Sequence, residues 1–247
     1  TLILATTTST QDSGLLDVLI PAFEKQSGYV VKTIAVGSGQ AMALGQKGEA
    51  DVLLVHTPEA EQKFVAEGHG VNRRIVMHND FVLVGPPADP VGVKAAKGVA
   101  EALKAVQTKG ALFISRGDKS GTHAAELKLW KAAGVVPEGQ AWYQSTGLGM
   151  GQTLNVASEK RGYTLTDRGT YLSLKKRLDL ALVREGDASL LNVYHVIEVN
   201  PAKFPRVNAA GAKAFADFMV APATQKAIQS YGVEKFGGAP FFPDAVK

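Results

Sequence analysis

Three times in its first half the chain repeats one device. A short apolar run gives way to a cluster of hydroxyls and glycines, and helical periodicity follows. TLILA (Thr1 to Ala5) leads into Thr6-Thr7-Thr8-Ser9-Thr10-Gln11-Asp12-Ser13 and then GLLDVLIPAFEKQSG, apolar at Leu15, Leu16, Leu19, Ile20 and Phe23. YVVKTIAV (Tyr29 to Val36) leads into Gly37-Ser38-Gly39-Gln40 and AMALGQKG. ALFI (Ala111 to Ile114) leads into Ser115-Arg116-Gly117-Asp118-Lys119-Ser120-Gly121-Thr122-His123 and then AAELKLWKAAG, closed by Gly134. Each reads as buried strand, small polar loop, helix. Such units build α/β sheets, and in open sheets of this kind ligands bind beyond the carboxyl ends of the strands, where these loops fall. A single hydroxyl loop is an ordinary helix cap; three after successive buried strands carry more weight. DVLLV (Asp51 to Val55) is continuously apolar, as a parallel strand covered on both faces requires.

The third stretch has the most chemistry. Ser120 is a natural N-cap, with Gly121 and Thr122 opening the first turn. A first turn offers unpaired N–H groups and the positive end of the macrodipole. Arg116 adds a fixed cation, so the stretch has the makings of an anion site. A capped helix beside a surface arginine fits the stretch equally well.

The remaining chain follows the same alternation. Pro21 lies inside the first helical pattern, where a kink is expected. His56-Thr57-Pro58 ends DVLLV, and a helix closes at Gly68. Ile75 to Met77 and Phe81 to Val84 read as two short strands, and Gly85-Pro86-Pro87-Ala88-Asp89-Pro90 as the exit from a first lobe. VKAAKGVAEALKAVQTKG is an amphipathic helix. Gly147, Gly149 and Gly151 only loosely resemble a phosphate loop, because no clear buried strand precedes them. Asp167 is placed to cap a helix carrying Arg168 and Tyr171, and an Asp167–Arg168 ion pair at the helix start is one reading of that dipeptide. Phe236 to Pro243 reads as an irregular tail. The prediction is an α/β protein of two lobes, each a mixed, mainly parallel sheet flanked by helices, joined by two hinge strands around a cleft. Lobe I takes residues 1–84 and 194–247, and lobe II residues 85–193.

Composition narrows the function. The 247 residues are 45% hydrophobic with a net charge of +4, enough for a sizeable core and only mildly basic. Basic residues are scattered, without a stripe interleaved with aromatics, so nucleic acid is a poor partner. The absence of Cys removes disulfides, thiolate nucleophiles and Cys-ligated metals. No apolar run approaches transmembrane length. The chain starts at Thr1 and enters a strand at once, as a mature or trimmed terminus would, with any signal segment removed.

TTTSTQDSGLL (Thr6 to Leu16), GSGQAMALGQKGEADVLLVHTP (Gly37 to Pro58), SRGDKSGTHAAE (Ser115 to Glu126), GYTLTDRGTYL (Gly162 to Leu172) and FFPDA (Phe241 to Ala245) together resemble the tungstate-binding group of the type II periplasmic binding proteins. The resemblance covers nearly the whole chain. It implies a two-lobe fold and capture of tungstate, with molybdate as a possible second ligand, outside the cytoplasmic membrane. It further implies delivery to the membrane permease of an ABC transporter, by a monomer without catalytic residues, cofactor or cation site. The implied anion ligands are hydroxyl, amide and guanidinium donors at Thr8, Ser9, Ser38, Arg116, Ser120, Gly121 and Thr122. Several adjacent hydroxyls in Thr6 to Ser9 compete for the first assignment.

A tetrahedral dianion only accepts hydrogen bonds, so its site needs donors from several directions and no competing carboxylate. Asp118 is expected to pair with Arg116 or cap the helix. Phosphate-binding relatives share an Arg-x-Asp-x-Ser-Gly-Thr pattern that Arg116 to Thr122 also fits. In those relatives a carboxylate holds the phosphate proton at the position that His56, at the end of DVLLV, matches here, so a fully deprotonated anion is favoured: tungstate, molybdate or sulfate. Phosphate, sulfate and molybdate remain alternative ligands on the same fold. His56 and His123 are expected to be ordinary hydrogen-bonding residues. A hydrolase with Ser120 as nucleophile and His123 as base is the competing class, but no G-x-S-x-G elbow surrounds Ser120.

Overall fold

The computed structural model describes residues 1–245 and divides into two compact units, Thr1–Asn79 with Val193–Lys247, and Asp80–Asn192. The chain passes from one to the other twice, inside two of its strands. In order, the first unit opens with β1 (Leu2–Thr7), α1 (Thr8–Asp12), α2 (Leu16–Ser27), β2 (Val31–Val36), α3 (Ser38–Gln46), β3 (Val52–Val55), α4 (Pro58–Ala66) and β4 (Gly70–Gly85). The second unit takes the end of β4, then α5 (Val99–Thr108), β5 (Phe113–Ser115), α6 (Gly121–Ala132), β6 (Tyr143–Ser145), α7 (Met150–Lys160), β7 (Thr164–Asp167), α8 (Arg168–Leu174) and β8 (Ala181–Arg184). β9 (Leu191–Val199) leads back to the first unit, which ends with α9 (Ala209–Val220), α10 (Pro222–Ser230), α11 (Val233–Phe236) and β10 (Phe242–Pro243).

In the first unit the strand order is β2-β1-β3-β9-β4-β10. β1 runs parallel to β2 and β3, while β9 pairs antiparallel with β3, and β10 antiparallel with β4. Period-two alternation explains the unbroken apolar strands. Leu2, Leu4, Val52 and Leu54 point into one core with Phe23 and Phe215; Ala5, Leu53 and Val55 point into the other with Ala41 and Phe64. Helices on both faces leave no polar side to the central strands.

The second unit repeats the plan with a different balance of directions. β7 and β8 pair antiparallel with the end of β4, and β5 pairs parallel with β6 and, at Phe113 and Tyr163, with the entry to β7. Phe81, Leu83, Phe113 and Leu165 enter one core around Trp130; Val82, Val84 and Ile114 enter the other around Leu154 and Tyr171.

Three local expectations need correction. The strands at Ile75 to Met77 and Phe81 to Val84 are one sixteen-residue strand, β4. Local polarity at Asn79-Asp80 does not break it, because Met77 and His78 pair with β10 and Phe81 to Val84 pair with β7. The expected irregular tail instead forms α11 and the short strand β10, anchored by Phe241, which is fully buried. The long helix from Val93 splits into a 3-10 turn at Val93–Ala95 and α5, which starts after Gly98. As expected, no buried strand precedes the Gly147 to Gly151 run: β6 is three residues long and none of its residues is buried.

Candidate functional site

In the first unit the hydroxyl cluster is not a loop between strand and helix. β1 runs to Thr7 and α1 begins at the next residue. The Thr7 hydroxyl caps α1, accepting from the Thr10 N–H at 3.3 Å. It also lies 2.6 Å from Thr10 Oγ1, 3.2 Å from Ser9 Oγ and 3.1 Å from His56 Nε2. Thr6 is spent inward, donating to the Leu54 carbonyl at 2.7 Å. Thr8 is half-buried and Ser9 buried. Parallel register sets Thr7 opposite Val36, so α1 and α3 both start at the same edge of the sheet. Ser38 is the buried first residue of α3, whose cap, Gly37, has no side chain to consume the first-turn N–H groups. Thr8, Ser9 and Ser38 therefore share one sheet edge.

The second unit gathers Arg116, Ser120, Gly121 and Thr122 beyond the end of β5. Ser120 caps α6 through its Oγ, which accepts the His123 N–H at 3.2 Å. The Arg116 side chain is only 3% exposed, and both its Nε and Nη2 donate to Asp118 Oδ2, at 3.1 and 2.5 Å. The other carboxylate oxygen of Asp118 accepts the Ser120 N–H at 3.1 Å. Asp118 thus does both expected jobs at once, fixing the guanidinium and the cap. Burial alone would raise its pKa, but the Ser120 hydrogen bonds and the Arg116 charge outweigh that and hold it below the usual value. Gly117 and Lys119 flank it in the left-handed region, at φ 61° and 60°. For Lys119 that conformation carries strain, which settles at functional turns when the surroundings over-determine it.

Thr122 has a feature that sequence could not reveal. Its Oγ1 is buried with no hydrogen-bond partner, although the residue is only 1% exposed. Buried hydroxyls are nearly always paired, and an unpaired one costs about 1–3 kcal/mol. A hydroxyl, a guanidinium and first-turn amides at one helix start form a donor set suited to an oxyanion.

Two further groups belong to this edge, and sequence reading undervalued both. The loop after β6 is stitched to the Arg116 loop: Gly147 N–H donates to the Arg116 carbonyl at 2.7 Å and Thr146 N–H to the Ser115 carbonyl at 2.9 Å. Gly117 permits this approach, since a Cβ there would lie 2.4 Å from Ser145 Cβ. Behind the loop, Ser115 Oγ donates to Glu126 on α6 at 2.7 Å, as do Tyr143 Oη at 2.7 Å and Trp130 Nε1 at 3.2 Å. Burial pushes the Glu126 carboxyl up to about 7 despite these three donors.

Several residues turn out to be occupied elsewhere. Arg168 pairs with Asp80 at 2.5 and 2.6 Å and with Glu185 at 2.6 Å, which replaces the expected pairing with Asp167. The Tyr171 hydroxyl donates to the Leu180 carbonyl at 3.1 Å within the core. His56 stacks on Tyr194, ring centroids 4.7 Å apart, and contacts Thr7. The Ser120–His123 pair does not have hydrolase geometry: Ser120 Oγ meets the backbone of His123, whose ring Nδ1 accepts the Lys119 N–H at 3.1 Å. Among the described residues no cluster of His, Asp and Glu could hold a metal ion, and no helix is long and apolar enough to cross a membrane.

Paired α/β units with donor-lined helix starts at their strand ends define a class of anion-binding modules. The chain belongs to the PBP superfamily, whose domain model matches residues 1–223. Within it, the chain is 51% identical to the tungstate-binding protein TupA of Peptoclostridium acidaminophilum, over 100% of this chain and 86% of that one. A crystal structure of the tungstate ABC transporter from Geobacter sulfurreducens matches with a TM-score of 0.85 at 54% identity, covering 93% of this chain and 98% of the other. The tungstate-binding protein TupA from Desulfovibrio alaskensis G20 matches with a TM-score of 0.85 at 47% identity, covering 98% of both chains.

Proposed function

We propose that this protein captures tungstate, with molybdate as its nearest competitor, and delivers it to the permease of an ABC transporter outside the cytoplasmic membrane. The proposed oxyanion donors are Thr8, Ser9 and Ser38 at the sheet edge of the first unit, and Arg116, Ser120, Gly121 and Thr122 at the sheet edge of the second. The observation that carries this reading is the buried, unpartnered Thr122 hydroxyl beside an Asp118-fixed Arg116. A site that pays for an unmet donor is built for an acceptor that arrives later. The relatives at 47–54% identity that bind or transport tungstate support the choice of anion.

The donors suffice energetically. Hydrogen bonds to a charged acceptor contribute about 1.5–3 kcal/mol each. Even a non-additive sum over these donors, less desolvation and ordering costs, reaches the ~8 kcal/mol of micromolar binding and beyond. With His56 engaged by Thr7 and Tyr194, no carboxylate stands at that position to receive a phosphate proton. The protein acts as a single chain and binds without chemical turnover.

Titration calorimetry with tungstate, molybdate, sulfate and phosphate tests the proposal. Tungstate is expected to bind tightest, and Arg116→Ala to weaken it more than about tenfold without loss of fold. Sulfate or phosphate binding as tightly as tungstate would refute the specificity. An unchanged affinity in Arg116→Ala would remove the second unit's donors from the site.

A further inference from the structure

One buried carboxyl at the same sheet edge has no role in the donor set. Asp167 is the last residue of β7 and only 1% exposed. Its Oδ2 is saturated, accepting the Thr170 N–H at 2.8 Å and the Thr170 hydroxyl at 2.9 Å. Its Oδ1 is buried and has no partner. Capping α8 explains one oxygen and leaves the other unexplained.

Sheet register places Asp167 at the same end of the sheet as the Arg116 turn. β5 and β7 run parallel beside one another, bridged at Phe113 and Tyr163, with Ile114 N–H donating to the Tyr163 carbonyl at 2.8 Å. Asp167 therefore leaves the sheet level with the Arg116-Gly117 turn. The Arg116 guanidinium is the charge that acts on it, favouring the ionised form, while burial opposes that more strongly and pushes the carboxyl up to about 6.

The other elements packed against it carry few titrating groups near this end. The loop after β5 brings Arg116, Asp118 and Lys119; α6 brings His123 and Glu126, with Lys128 and Lys131 further along. On α8 are Arg168 and Tyr171, the former bound to Asp80 and Glu185. The charges of α7, Glu159 and Lys160, lie in its last turn, away from this end of the sheet.

We propose that Asp167 holds a hydrogen on Oδ1 when the oxyanion is bound and presents it to the site, so that capture of the dianion takes up one proton at this residue. The inference rests on the reading of Arg116 and Thr122 as anion donors. A dianion beside an ionised, buried carboxylate meets like charge, which drives that carboxylate to its neutral form. The coupling is reciprocal: the proton strengthens the anion's binding as the anion strengthens the proton's. The proton comes from solvent, adds to Oδ1, and turns the unpartnered oxygen from an acceptor into a donor. Asp118, the carboxylate next to Arg116, is already neutralised by that guanidinium.

The test is calorimetric titration of the whole chain with sodium tungstate between about pH 7 and pH 9, well above the pKa of a buried carboxyl shifted only modestly. Buffers of different protonation enthalpy, none an oxyanion, give the number of protons exchanged. The expected result is uptake approaching one proton, with affinity falling up to tenfold per pH unit. Asp167→Asn keeps an oxygen for the Thr170 cap and a donor in place of Oδ1. It should show no uptake, a flat pH profile and tighter binding than the unaltered protein at pH 9. Glu126→Gln should retain the uptake. Zero uptake by the unaltered protein, or persistent uptake in Asp167→Asn, overturns the proposal. Should the unaltered protein fail to bind tungstate at all, the functional reading beneath it falls instead.

Discussion

Thr122→Val isolates the unpartnered hydroxyl, because valine keeps the shape and β-branching of threonine and removes only the oxygen. Thr122 opens α6 one residue after Gly121 and is 1% exposed, so the substitution disturbs neither a cap nor a surface. Two opposite effects follow from the same atom. Without anion, the variant loses a buried donor that has no protein partner, which relieves up to about 1–3 kcal/mol. For a chain this long, at about 2–4 °C per kcal/mol, that raises the melting temperature by up to about 2–12 °C. With anion, the variant loses a charge-assisted hydrogen bond of about 1.5–3 kcal/mol, equivalent to about 10- to 150-fold in affinity. Differential scanning calorimetry of anion-free protein and titration with tungstate measure both. Affinity within twofold of the unaltered protein would refute the reasoning. A lower anion-free melting temperature would show that the hydroxyl has a protein partner after all.

Asp118→Ala removes a negative charge from the neighbourhood of a bound anion, yet it is expected to weaken tungstate binding about tenfold. The reason is that Arg116 and the Ser120 cap lose their common anchor; tighter binding in calorimetry would mark Asp118 as a competitor instead. Burial pushes the Glu126 carboxyl up to about 7 and the Asp167 carboxyl up to about 6, above the ordinary carboxylate range. Each therefore adds stability in full below the unfolded value and loses it as pH rises through the folded one, a change of about 3 kcal/mol per group. Asp118, Asp187 and Asp217, with lowered values, act in the opposite sense as pH falls. Melting temperature of the anion-free protein should thus fall from pH 5 to pH 7.5, and Glu126→Gln should flatten that decline; an unaltered slope would mean Glu126 does not titrate there. Phe241→Ala should cost about 3–5 kcal/mol by emptying a fully buried site. Urea unfolding reads that loss, and a change below about 1 kcal/mol would return the tail to the status of a loose end.

What sequence reveals here depends on the range of the interaction. The Ser120 and Asp167 caps were readable because cap and helix are neighbours in the chain, and Ser120 accepts from His123 as Asp167 does from Thr170. The Arg116–Asp118 pair was readable for the same reason. β4 was not, because its continuity comes from pairing with β7 and β10, far along the chain. β10 itself is two residues long and has no periodicity to detect. The informative atoms of the site, Thr122 Oγ1 and Asp167 Oδ1, are defined by what fails to reach them. No motif encodes that. The family resemblance implied a set of donor residues without showing that one hydroxyl waits unpaired.

Hydrogen counting sharpens the division of labour among the hydroxyls. A capping oxygen uses a lone pair to accept an N–H, which leaves its own hydrogen to give away. Ser120 Oγ accepts from His123, and the Ser120 side chain also hydrogen-bonds Asp118, so its hydroxyl is engaged on both sides. Thr7 caps α1 in the same way, and its hydroxyl shares contacts with Thr10 Oγ1 at 2.6 Å, Ser9 Oγ at 3.2 Å and His56 Nε2 at 3.1 Å. Thr7 therefore organises its neighbours, which leaves Thr8 and Ser9, one and two residues further into α1, as the donors proposed for the anion. Thr6 is excluded by its bond to Leu54. The run Thr6 to Ser9, four hydroxyls indistinguishable by type, thus separates into two that hold the turn and two proposed as donors to the anion. His56 joins the holding pair: where a carboxylate would accept a ligand's proton, this imidazole steadies Thr7.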